Sequence, residues 1–207
     1  MWRLIFLVVL FIPLVAFIAH KNKIGTVIFG VKVYFKPKTQ KFLKPFSDAI
    51  KAFPELKGTS IEIRRKPIGT LMAARPKPCF IFRNRKDRRY VIVITDKPSM
   101  NSDKVYNSIS EFALTGVLGH ELSHILDYSG KTNIQMLLFA IKYSFNRRRI
   151  EYKTDKTAIS RGFGEKIIEF NKFIYHSPYV NRKYLMAKQR FYLTVSDIEE
   201  NLLLNYA

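Results

Sequence analysis

Residues 119–124 read Gly119-His120-Glu121-Leu122-Ser123-His124, and the fold is decided by whether this stretch is helical. At 3.6 residues per turn, side chains four apart stand about 40° from one another around a helix. His120 and His124 would then share a face, with Glu121 reaching the same side from a neighbouring angle. The surroundings favour a helix. Ser108-x-x-Glu111 has the form of a capping box, and an apolar run follows it through Leu126. Gly116 and Gly119 sit inside this helix at a cost of about 1 kcal/mol each relative to alanine. Residues that weaken a helix this way point to close packing at a site.

Outward from this centre, Thr132-x-x-Gln135 is a second capping box. It opens a long helical pattern that closes near Gly162 and Gly164. Three further helices are predicted over 165–175, 181–189 and 196–204. Upstream the periodicity changes. Residues 26–35, 61–64, 80–82 and 90–94 are β-branched, aromatic or alternating, as strands are. The charged run 83–89 reads as a hairpin loop between the last two. Phe42, Phe46, Ile50 and Phe53 mark an amphipathic helix that ends at Pro54. A small, mainly antiparallel sheet followed by a helical half is an α+β arrangement.

Composition narrows the partners. The 207 residues hold 36 Lys+Arg against 16 Asp+Glu, a net charge of +20. That field favours anionic partners. The charge is spread along the chain without a nucleic-acid-binding motif, so the expected partner is an anionic membrane surface rather than nucleic acid. The lone Cys79 excludes a disulfide framework and a cysteine-based zinc cluster. Leu4 to Ala19 is unbroken apolar sequence, with Arg3 before it and Lys21 and Lys23 after it. Residues 1–20 are therefore expected to be a single-pass N-terminal membrane anchor. Export by a cleaved signal is the alternative, against which bulky Phe17 stands at the −3 position. The sequence leaves the side of the membrane open.

Two imidazoles aimed at one point suit a zinc ion, which takes neutral ring nitrogens and leaves a further position for water. Glu121 would act there as general base. A third protein ligand is needed. His20 adjoins the apolar run, Asp127 sits on the HExxH helix itself, and His176 lies farther on. Glu151 is the preferred candidate. It stands four residues before Asp155 on a predicted helix, so one carboxylate can bind metal while the other holds a ligand histidine from behind.

HExxH followed by a helix bearing ExxxD resembles the gluzincin metallopeptidases, nearest their HtpX-like and minigluzincin branches. The likeness runs over roughly residues 90–164. It implies a zincin-like metallopeptidase domain over 21–207, with Zn2+ on His120, His124 and Glu151, and Asp155 supporting His120. It also implies that residues 90–95 form an edge strand pairing with a peptide or protein substrate. His176, Tyr179 and Arg182 are the resemblance's candidates for stabilising an oxyanion. The chain departs from the pattern at Thr154, where alanine is usual, and in a His176-Ser177-Pro178 segment offset by one residue. The rival expectation is a catalytically silent, zinc-stabilised membrane scaffold.

Overall fold

The computed structural model describes residues 24–206. The expected anchor and His20 lie outside the described residues. Among those described, no helix is long and apolar enough to cross a membrane.

Where one strand is predicted over 26–35, the structure has two, β1 (Ile24–Ile28) and β2 (Val31–Phe35). Phe29 and Gly30 both take positive φ between them, as a two-residue hairpin turn of the primed type requires. A 3-10 turn then leads into α1 (Leu43–Ile50), which carries the chain over to β3 (Ser60–Lys66). β4 (Met72–Pro76) and β5 (Arg89–Thr95) complete the sheet.

The strand order is β1-β2-β3-β5-β4. Its outer pairs are antiparallel and its two inner pairs, β2–β3 and β3–β5, are parallel. The sheet is thus mixed, not mainly antiparallel. The physical reason is the α1 crossover, since parallel neighbours need a long connection. Residues 80–82, expected as a strand, lie instead in a 3-10 turn, Pro78–Phe82. Pro78 opens that turn with its φ already fixed and has no N–H for a ladder.

The helical half follows as α2 (Ser102–Ser108), α3 (Glu111–Ser129), α4 (Asn133–Ala158), α5 (Gly164–His176), α6 (Arg182–Phe191) and α7 (Val195–Tyr206). The N-cap of α3 is Ser110, whose side chain accepts from the Ala113 N–H, and Ser108 ends α2 instead. Thr132 and Gln135 form the expected capping box at the start of α4. Alternate residues of the strands (Val31 and Val33, Ile61 and Ile63, Ile92 and Ile94) enter one core with Phe46 and Ile50 of α1. Leu114, Leu118, Leu122 and Ile125 of α3 join them. A full burial of each such side chain contributes about 1.5–3 kcal/mol.

Candidate metal centre

α3 is buried on nearly every side, and its different faces meet different neighbours. A Cβ on Gly116 would stand 2.6 Å from the Lys166 backbone, and one on Gly119 would stand 2.5 Å from the Phe163 ring. The two glycines therefore let α5, and the wide turn that leads into it, approach α3. That close packing lies behind the histidine face, not at it.

On the histidine face, α4 brings up its ExxxD segment. His120 Nε2 and His124 Nε2 lie 3.3 and 3.2 Å from one oxygen, Glu151 Oε2. The ligand-capable atoms of the three residues all fall within 4.8 Å of one another, and all three side chains are buried. Zinc–ligand bonds of about 2.0–2.2 Å at tetrahedral angles set ligand atoms about 3.3–3.5 Å apart. The two measured His–Glu separations match that spacing.

The other ring nitrogens are held from behind. Asp155 Oδ1 lies 2.7 Å from His120 Nδ1, and Asp155 Oδ2 accepts the Leu193 N–H at 3.0 Å. Thr154 gives its hydroxyl proton to the Ile150 carbonyl at 3.0 Å, which leaves its oxygen to accept from His124 Nδ1 at 3.3 Å. Both rings thus direct Nε2 at Glu151. The second Glu151 oxygen, Oε1, accepts from the Tyr143 hydroxyl.

Burial opposes every charge in this group, and the partners answer it differently. It works against charge on His120, yet Asp155 and Glu151 beside the ring raise its pKa on balance. Burial would raise the Glu151 carboxyl, but hydrogen bonds and charge from the two histidines hold it well below the usual carboxylate range. Glu121 is pushed up by burial, with the histidine charges and the Ala74 N–H only partly opposing the rise. Three buried carboxylates (Glu121, Glu151 and Asp155) thus face two imidazoles, and the donor set is chemically suited to a divalent cation.

Glu121 accepts the backbone N–H of Ala74, which ties α3 to β4. It lines a cleft of ≈580 Å³ together with His124, Glu151, Met72 and Ala74. A smaller cavity of ≈30 Å³ beside His120, Glu121 and Asp155 is large enough for a water molecule.

The strand at the cleft is β4. Residues 90–95, implied as the edge, are β5 and lie between β3 and β4. The segment Met72-Ala-Ala-Arg-Pro76 lacks β-branched residues and ends in proline, so it carries little strand signal. An outermost position in a sheet also tolerates proline.

His176 is exposed, and its ring bonds the Lys172 carbonyl. Tyr179 lies under Lys104. Arg182 is exposed at the start of α6. None of the three lines either cavity. Asp127 pairs with Lys131 and Lys153, away from the histidines. Tyr184, Lys188 and Tyr192 line both cavities instead. Lys188 is buried, with Nζ 4.4 Å from the Tyr192 ring centroid. Burial lowers its pKa, while Asp155, Glu151 and Glu121 counter the drop. Tyr184 and Lys188 stand four apart on one face of α6 and Tyr192 follows its last residue, a spacing that marks a helical face but not what that face meets.

No protein-family model matches the chain, and comparisons with curated proteins and with solved structures also give no match. The likeness to gluzincins rests on the motif, and a His–His–Glu group is common to many metal sites.

Proposed function

We propose that this chain is a zinc-dependent metallopeptidase of the gluzincin type, held at a membrane by residues 1–20. The observation that carries the reading is the convergence of His120, His124 and Glu151 on one point, with Glu121 beside them in a cleft of ≈580 Å³. That volume lies within the range of about 300–1,000 Å³ usual for ligand sites. Zinc, when bound, would supply Lewis acidity and bring a water's pKa towards neutrality.

The protein's own groups would do the rest. Glu121 takes the proton of the attacking water, and the rise in its proton affinity on burial suits it to pass that proton to the leaving amine nitrogen. Asp155 and Thr154 hold the two rings in register. Lys188, which lines both cavities, rather than His176, Tyr179 or Arg182, is the cation proposed for a negative charge growing on a carbonyl oxygen. Arg147, with Nε 3.7 Å from Glu151 Oε1, is another cation lining the cleft. β4 is the edge against which an extended peptide would lie.

The test is metal content by mass spectrometry on the purified chain, beside Glu151→Ala, together with cleavage of a peptide library by wild type and Glu121→Gln. The expected result is about one zinc per wild-type chain. Glu151→Ala loses or weakens that zinc, and Glu121→Gln keeps it without hydrolysis. No zinc after purification without chelators would sink the peptidase reading. Zinc with no hydrolysis by the wild type would favour the silent scaffold.

A further inference from the structure

Along its first half, before the non-helical backbone at Asn146, α4 packs on one side only. Met136 is buried, and Phe139 sets its ring against Tyr128. The other side carries Ile134, Leu137, Leu138, Ile141 and Phe145, exposed from 44% at Leu137 to 83% at Phe145. Residues spaced three and four apart share a helix face, so these five make one stripe about 18 Å long. Phe82, 89% exposed, stands near its start. There Asn133 Nδ2 donates to the carbonyls of Ile81 and Arg83. Exposed apolar surface of this continuity marks a place of contact.

Charge selects what makes the contact. At its far end, Phe145 enters an open groove of ≈910 Å³ that it shares with Arg148, Arg149 and Arg190. No acidic residue lines that groove. Lys142 is exposed on the same stretch of helix, and Arg85 and Lys86 are exposed just after Phe82. A lipid surface offers acyl chains to an apolar stripe and phosphates to arginines within one interface. Nucleic acid would satisfy the arginines and leave the stripe in water. The apolar run 4–19, outside the described residues, is itself of a kind that brings a chain to a bilayer.

We propose that the face of α4 over residues 134–145 docks into the headgroup region of an anionic bilayer, with Arg148, Arg149 and Arg190 on lipid phosphates. The same helix walls the cleft through Met136, Phe139 and Tyr143. Docking therefore holds the cleft about one helix diameter, roughly 10 Å, from the bilayer surface, and its substrates are polypeptide segments lying close to the membrane. The substrate step rests on the peptidase reading, whereas the docking does not.

The experiment needs no catalysis, so its outcome is separate from the outcome of the cleavage assays. The full chain carrying Cys79→Ser is reconstituted into phosphatidylcholine vesicles containing a minority of phosphatidylglycerol. A nitroxide is attached through Leu138→Cys or Ile141→Cys, or through Glu200→Cys as a control. At 138 and 141, accessibility to dissolved oxygen is expected to exceed accessibility to a water-soluble nickel chelate several-fold, with the reverse at 200. Immersion at 138 and 141 is also expected to deepen with phosphatidylglycerol. High nickel accessibility at 138 and 141 would overturn the proposal. Shielding from both reagents would overturn it too, since a second copy or residues 4–19 would then cover the stripe. Equal immersion without phosphatidylglycerol would remove the arginines from it.

Discussion

At position 154 the chain carries threonine where the gluzincin pattern has alanine, and the hydroxyl fixes the His124 ring by accepting from Nδ1. The departure is thus accommodated inside the site: Asp155 orients one histidine and Thr154 the other. Lys188 offers the sharper test at this scale. It is buried, lines both cavities with Glu121, and has no ion pair among the described residues. Under the proposed hydrolysis, Lys188→Met should lower kcat by about 10²–10³, the cost of removing one oxyanion donor. Zinc content and KM should stay near wild type, because the residue is no ligand and meets the charge only as it develops. An unchanged kcat would leave Lys188 with a packing role.

α3 needs its glycines for its neighbours rather than for its own helicity. Replacing a mid-helix glycine by alanine ordinarily gains about 1 kcal/mol. At position 116 the added Cβ would meet the Lys166 carbonyl carbon at 2.6 Å and its oxygen at 2.8 Å. Backbone cannot swing aside as a side chain can, so α3 and α5 must separate. Gly116→Ala is therefore expected to destabilise the fold by about 1–3 kcal/mol, as overpacking does. The denaturant midpoint should fall with the slope unchanged. A raised midpoint would mean that the two helices do not approach as closely as described. β4 makes a related point among the strands: it is short and poor in strand-forming residues, yet it holds the edge and donates the Ala74 N–H to Glu121.

For the molecule as a whole, the proposed metal site predicts that stability depends on a bound cation, because three buried carboxylates face two imidazoles. A ligand at about 100 times its Kd stabilises by about 2.7 kcal/mol. In a domain of this size each kcal/mol moves Tm by about 2–4 °C. Chelation is thus expected to lower Tm by roughly 5–10 °C, and excess zinc to restore it. A Tm indifferent to chelator would separate the His–His–Glu group from stability. The sequence by itself determined the histidine pair on one helical face, the Thr132 cap, the order of sheet before helices, and Glu151 with Asp155 as partners four residues apart. These are local, set by backbone hydrogen bonding and by burial that repeats every few residues. Only the tertiary structure decided the mixed sheet, the exchange of β5 for β4 at the edge, and the dismissal of Asp127 to a lysine pair. It alone also brought Tyr184, Lys188 and Tyr192 to the cleft in place of His176, Tyr179 and Arg182. Those outcomes depend on where the α1 crossover lays β3 and on how closely glycine lets α5 approach α3. Contacts between residues far apart in the chain leave no period in the sequence from which they could be read.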